Sequence, residues 1–327
     1  VSWVNGLTGG CGRTSRPYVE KNHAAHKREL NMSASFKNLL APSLFAAAFA
    51  LALPAIAQDR PAVATSVPGG DIFGFTAGSG VGDVGEHGAS FEFDGAIGKR
   101  GGSYAVFSQK YSYERVIAPS TTFGMALFTA YHRVRDVPVE PINRNAFQFD
   151  GASVELAHRL IESGGGNPFG FKLAVEPRWA RLTGGGRHTE AFGAELKFIT
   201  DAVVVPERLF WAANLVLDAG TERDVDVSRY VAGSGAKLSS AITYQIQPTF
   251  FVGLEATYLH AFDGMFGRSA GHALFLGPTL YFKISEQAAL NLTIAPQLGG
   301  KAKGVSGALD LENYERAITR VKFSMDF

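Results

Sequence analysis

The feature that most constrains this chain is a period-two alternation of apolar with small or polar residues, repeated over segments of about ten residues. Phe169, Phe171, Leu173, Val175, Pro177 and Trp179 alternate with Gly170, Lys172, Ala174, Glu176, Arg178 and Ala180. Successive side chains of an extended strand point to opposite faces, so one face of this segment is wholly apolar and the other charged or small. The pattern recurs at Phe123–Tyr131, Phe192–Phe198, Leu209–Leu217, Phe250–Tyr258, Leu274–Phe282 and Leu290–Pro296. Helical stripes are scarce. Beyond residue 57 no apolar run reaches the roughly 18 residues of a transmembrane helix. The chain therefore reads as all-β.

A soluble sandwich would alternate too, with its apolar faces turned inward. Two details favour an outward, lipid-facing orientation. The apolar stripes carry aromatics at their ends (Phe169 and Trp179, Phe123 and Tyr131) and mostly aliphatics between, which is how residues sort across a bilayer. The opposite faces mix charges with Gly and Ala, which suits a crowded, wet interior. Twelve strands are expected, at 88–97, 104–117, 121–134, 146–161, 169–182, 190–203, 208–219, 229–246, 249–262, 270–284, 288–299 and 313–327. Turns after the even strands are short, such as Gln247-Pro248, and connections after the odd strands are mostly longer and more polar. The expected fold is a transmembrane, antiparallel, up-and-down β-barrel with both ends on the periplasmic side.

The N-terminal region has a different character. Lys37 precedes an apolar run from Leu39 to Leu53, and Pro54-Ala55-Ile56-Ala57 supplies small residues for a signal peptidase, so cleavage is expected between Ala57 and Gln58. Such a signal begins naturally at Met32, so residues 1–31 are expected to be untranslated, with the true start at Met32. The resulting division is a signal peptide at 32–57, a periplasmic N-terminal segment at 58–87 and a barrel at 88–327. Removal of residues 1–57 takes the single cysteine, Cys11, and leaves a small net negative charge. Absence of thiols suits export through an oxidising compartment and excludes a disulfide scaffold or a cysteine-based zinc site. With 46% hydrophobic residues and a net charge of +1 over the full chain, disorder is excluded. No block of basic residues points to nucleic acid.

The last segment is the most specific. Val321, Phe323, Met325 and Phe327 share one face and end on the final residue. Here the chain resembles bacterial outer-membrane β-barrel proteins, whose last strand ends in Phe after alternating apolar positions. The resemblance implies an outer-membrane location and reading of this strand by the barrel-assembly machinery. Phe73–Gly85, Tyr131-His132-Arg133 and Gly271–Tyr281 look like an uncharacterised alphaproteobacterial barrel family. A looser similarity to barrels of phenol-degradation operons implies transport.

Candidate chemistry lies on the inward faces. Basic positions are Lys110, Arg159, Lys172, Arg178, Lys197, Lys237, Lys283, Arg320 and Lys322, and acidic ones are Glu92, Asp94, Glu114, Glu155, Glu176, Glu195, Asp218, Glu255 and Asp326. These are the pore-lining candidates of a channel that filters small solutes by size and charge. Paired across strands, the same groups would instead seal a structural or receptor-like barrel. A basic wall is expected from Lys237, Lys283, Arg320 and Lys322 against Glu255 and Asp326, with Glu92 and Asp94 of the first strand closing next to it, and the outer connections 135–145 and 300–312 are expected to fold inward. A phospholipase would need a lipid-facing Ser/His pair, and the available His158 and Ser240 lie four strands apart. His132, His188 and His260 are expected to be solvated or hydrogen-bonded, with His188 in a loop and no metal site. The glycine run Gly78–Gly85 lacks the strand-then-helix setting of a phosphate loop and reads as a flexible periplasmic entry. No cofactor is implied. Expected partners are outer-membrane lipids, the assembly machinery and small solutes.

Overall fold

The computed structural model describes residue 67 and residues 72–140, 142–164, 167–224 and 228–327. The expected signal peptide, its Ala55, Ala57 and Gln58 cleavage positions and the start at Met32 lie outside these residues.

Twelve strands form one closed antiparallel barrel. They are β1 (His87–Ile97), β2 (Ser103–Ala118), β3 (Thr121–Arg135), β4 (Arg144–Ile161), β5 (Gly170–Leu182), β6 (His188–Val205), β7 (Leu209–Asp224), β8 (Arg229–Gln247), β9 (Phe250–Asp263), β10 (Arg268–Lys283), β11 (Ala288–Ala302) and β12 (Ala317–Asp326). Each strand pairs with its sequence neighbours, and β1 closes on β12 from Gly88–Asp326 to Ile97–Ala317. Closure leaves no open edge, the condition for placing β-structure in hydrocarbon, where an unpaired backbone group finds no water.

The alternation falls as expected. Outward positions carry Leu127, Leu156, Leu254, Ile294 and Leu298, all exposed. Exposed apolar side chains recur around the wall, a distribution that suits lipid and not water. Inward positions carry the expected charges together with many Ala, Thr and Gly. One rim is made by tight connections, among them Pro119-Ser120 and Pro248-Thr249; the other carries the longer ones, including residues 136–143 and 303–316. Three boundaries differ from expectation by three or more residues, one of them the end of β11, which runs on to Ala302. β7 runs on to Asp224, and β12 begins at Ala317 because Asn313 to Arg316 belong to an inward-folded connection. His188 opens β6 and is not a loop residue.

The barrel wall is interrupted by a bulge in β4. Thr129 pairs with Phe149 and Phe128 with Gly151, so Asp150 is inserted between them and turns inward with its neighbour. A Cβ on Gly151 would lie 2.0 Å from the Trp179 carbonyl oxygen of β5, so only glycine fits. Gly151→Ala is expected to lower barrel stability by about 1–3 kcal/mol, the usual cost of overpacking. The heat-dependent mobility shift of the folded barrel in detergent gels measures this, and an unchanged midpoint would show that β5 yields without cost.

Candidate functional site

The lumen is where the inward charges meet, and it is not empty. Residues 72–82, read from sequence as part of a solvated periplasmic entry, run inside the barrel as a strap. Ile72 and Phe73 pack near the tight-turn rim against Phe210, Ala212, Ala241 and Phe251. The chain rises to Phe75, which packs with Leu259, Phe275, Tyr314 and Ile318. It then descends, with Gly80 and Val81 meeting Lys172 and Arg159 near the rim from which it rose. The run Ile72-Phe73-Gly74-Phe75 is apolar enough to be withdrawn from water, and the following Ala77-Gly78-Ser79-Gly80 is small enough to pass between luminal side chains. Gly74 is required by contact: a Cβ there would lie 2.1 Å from Thr293 Oγ1 and 2.6 Å from Glu255 Oε2.

Luminal side chains take up the strap's backbone groups one by one. The Glu255 carboxylate accepts the Phe75 N–H at 2.7 Å and also the Thr76 hydroxyl. Asp201 accepts the Ser79 N–H and, at 2.8 Å, the Ser79 hydroxyl. Asn291 donates to the Phe73 carbonyl at 2.8 Å. With its amide oriented to match, Asn214 accepts the Ala77 N–H and donates to the Ala77 carbonyl. Lys237, Lys172 and Arg159 donate to the carbonyls of Phe75, Gly80 and Val81. A strap inside a barrel cannot join a sheet, so these side chains do what strand neighbours would otherwise do.

The remaining inward charges form paired groups. Lys197 lies within ion-pair distance of Glu155, Glu176 and Glu195, and Lys110 is 3.6 Å from Glu176. Ser153 also donates to Glu176. Arg178 pairs with Asp150 at 2.7 Å and lies 4.0 Å from the centre of the Phe128 ring. Across the β1–β12 seam Arg320 makes two 2.8 Å bonds to Asp94 and also reaches Glu92, and Lys322 stands 3.8 Å from Glu92. Arg320 further lies 5.2 Å from the Phe75 ring centre.

The positions expected to form a basic wall are each engaged. Arg320 and Lys322 are offset by the acids of β1, Lys283 pairs with Glu286 at the tight-turn rim, and Lys237 serves the strap. Glu114 and Asp326 occupy inward positions on either side of Gly88. Asp218, inward on β7, faces Gly235.

At the other rim, connections cover the lumen. Residues 303–316 fold inward, with Asp310, Asn313, Tyr314 and Glu315 buried. Gln297 holds this segment by donating to the Asp310 and Glu315 carbonyls and accepting the Asp310 N–H. Lys99 meets the buried Glu315 at 3.3 Å. The 136–143 connection places Val137 against Ala96, Tyr104, Val106 and Val134. Beside it, burial lifts the Glu140 carboxyl above its ordinary range, with Lys99 opposing and Glu315 adding to the shift. Burial and nearby Asp310 raise the Tyr314 phenol likewise. Of the two states expected for His132, solvated or hydrogen-bonded, the first does not hold: it is buried beneath Gly186. His158 and Ser240 face outward and are held by Thr121 and Trp211. Among the described residues no cluster of His, Cys, Asp and Glu could hold a metal.

Sequence reasoning missed Asp150, Asp201 and the strap-binding amides of Asn214 and Asn291. Strand parity alone would have placed Asp201 inside, two turns of alternation beyond Lys197. Asp150 was hidden by the bulge, which shifts parity.

These features define a twelve-stranded barrel of the outer-membrane type with an occupied lumen. The chain belongs to the Family of unknown function (DUF6662), which matches residues 65–327. No curated protein matches it. Among solved structures it is similar to the COG4313 outer membrane channel from Pseudomonas putida F1, at 13% identity and a TM-score of 0.50, covering 76% of this chain and 97% of that one. It also aligns with the KdgM porin at 10% identity and a TM-score of 0.43, covering 73% and 99%. A third alignment, with the translocator domain of the autotransporter NalP from Neisseria meningitidis, has 13% identity and a TM-score of 0.43, covering 76% and 90%. At such identities the likeness concerns the fold.

The strap contacts predict protease sensitivity. Hydrogen bonds to charged groups contribute about 1.5–3 kcal/mol each. Glu255→Gln combined with Asp201→Asn should therefore speed chymotrypsin cleavage at Phe73 or Phe75 by at least about tenfold in folded, detergent-solubilised protein. Equal cleavage rates in wild type and variant would mean that packing alone retains the strap.

Proposed function

We propose that the protein is an outer-membrane channel that passes small polar solutes by passive diffusion, with its own strap holding the lumen narrow. In this reading the tight-turn rim faces the periplasm and the capping connections face outside. The observation that carries it is the uneven filling of the interior. From Ile72 to Ser79 the strap lies against the β6–β12 side, where Glu255, Phe275 and Ile318 are buried, and only its exit at Gly80 and Val81 meets β4 and β5. Along the β2–β6 side Lys110 and Glu155 keep 28% and 27% of their side chains exposed, although they point inward. Inward groups that water reaches line a wet passage beside the strap.

Lys110, Glu155, Glu176, Glu195 and Lys197 form the filter of that passage. Both signs are present, and the acids outnumber the bases. Charges set close together in a narrow, partly desolvated lumen act on a passing ion more strongly than in bulk water. The mechanism is steric and electrostatic and needs no covalent chemistry. The Arg178–Asp150–Phe128 cluster and the inward 303–316 segment narrow the route further, so passage requires these elements to shift. The outward Val321, Phe323 and Met325 of β12, with Phe327 directly after it, are proposed as the strip that the assembly machinery recognises.

Single-channel recording in planar bilayers tests this. Discrete conductance steps are expected from the wild type, with larger or more frequent openings from the Glu255→Gln, Asp201→Asn variant. Lys197→Met, which leaves three carboxylates around one vacated ammonium site, should move the reversal potential towards cation selectivity. Silence from wild type and strap variant alike, in protein whose heat-dependent mobility confirms folding, would favour a sealed barrel.

A further inference from the structure

On the outer wall, near the long-loop rim, neighbouring strands bring basic and hydroxyl side chains into one row. His260 of β9 is in register with His272 of β10, and His272 with Lys301 of β11. All three occupy outward positions. The two imidazole ring centres are 6.1 Å apart. Ser269 Oγ lies 2.9 Å from His260 Nε2, and the Tyr258 hydroxyl lies 3.3 Å from His260 Nδ1. With both ring nitrogens engaged, His260 is fixed in place and holds the exposed Ser269 hydroxyl beside His272. On the other side of His260 the row continues to Ala236 of β8, so no carboxylate shares it. Asp263, at the nearby tip of β9, is taken by Lys303 at 2.6 Å.

What lies below the row is as informative. The Tyr258 ring, 5.8 Å from that of His272, sits where an aromatic belt meets head groups. Beneath it the outward positions are apolar, with Leu298, Ile294 and Leu254 among the most exposed side chains of the wall. Gly299, paired with Leu274, has no atom within 4 Å of where a Cβ would stand, which leaves a notch directly below Lys301. Hydrogen-bond donors stand above, and an apolar wall with a hollow lies below. The three strands span about 10 Å, a width that the flexible stem of Lys301 can close around one small anion.

We propose that this patch binds the phosphate of an anionic lipid of the outer leaflet. The Ser269 hydroxyl, a His272 N–H and the Lys301 ammonium donate to the phosphate oxygens, and the acyl chains lie along Leu298, Ile294 and Leu254. Charge-assisted bonds of this kind are the strong ones, and the belt position brings a lipid phosphate to their level. The proposal rests on the wall facing lipid and is independent of whether the lumen conducts.

The test uses the full barrel in phosphatidylcholine vesicles carrying diphosphorylated lipid A or its dephosphorylated form, with retained lipid counted by native mass spectrometry. The wild type is expected to retain the phosphorylated lipid at least about tenfold more strongly, the equivalent of one charge-assisted bond. Ser269→Ala, His272→Gln and Lys301→Gln together should abolish that preference, while Arg181→Ala, a basic change elsewhere on the outer wall, should leave it intact. Heat-dependent mobility checks that each variant is folded. Equal retention of both lipids, an unchanged triple variant, or an equal loss in Arg181→Ala would overturn the site. Displacement of the lipid by inorganic phosphate alone would identify a soluble-anion site and overturn the lipid assignment.

Discussion

The pairing of β1 with β12 is the constraint on which the rest of the structure depends. Ten register pairs turn a linear meander into a ring. Once the ring is closed, every strand has two neighbours, and the two faces of the sheet become an outside and an inside. The outside can then be apolar around its whole circumference because no backbone group there needs water. The same seam carries the Arg320–Asp94 and Arg320–Glu92 pairs on its inner face, so closure is sealed by charge within and by Phe323 and Phe91 without.

A closed ring creates a second problem, the filling of its interior. Twelve strands enclose more space than their own inward side chains fill, and the protein answers with chain segments instead of larger residues. The strap fills the β6–β12 side from one rim, and residues 303–316 cover the other. Phe75 of the strap and Tyr314 of the connection belong to the same cluster, so the two elements support each other across the axis. Segments of irregular backbone are tolerated at membrane depth only when buried in protein and given hydrogen-bond partners. Glu255, Asp201, Asn214 and Asn291 supply them.

This division of labour explains the uneven polarity of the lumen. Where the strap packs, the wall offers Ala, Thr and aromatic surface together with charged and amide side chains that bond the strap's backbone. Opposite, Lys110, Glu155, Glu195 and Lys197 surround the buried Glu176, mutually paired, with Lys110 and Glu155 the most open to water. A buried ion pair contributes little to stability against an apolar alternative, because desolvation offsets attraction.

Much of this was legible in the residues alone. The alternation gave the strand count, nearly every strand limit and the side on which each charge lies, because period two is a local property of extended backbone. Parity shifts where a bulge inserts a residue, as at Asp150 in β4 and at Leu298 in β11, beyond which Gly299 and Lys301 turn outward. The strap escaped because Ile72 to Gly82 shows no periodicity, and its partners Glu255 and Asp201 are more than a hundred residues away in the chain. Strand order put Glu92 and Asp94 beside the basic residues of β12, but the pairs that Arg320 and Lys322 make with them form only once the ring closes. Periodicity, acting between neighbours along the chain, determined the barrel; pairing between distant residues, which only the folded ring brings together, decided what occupies it.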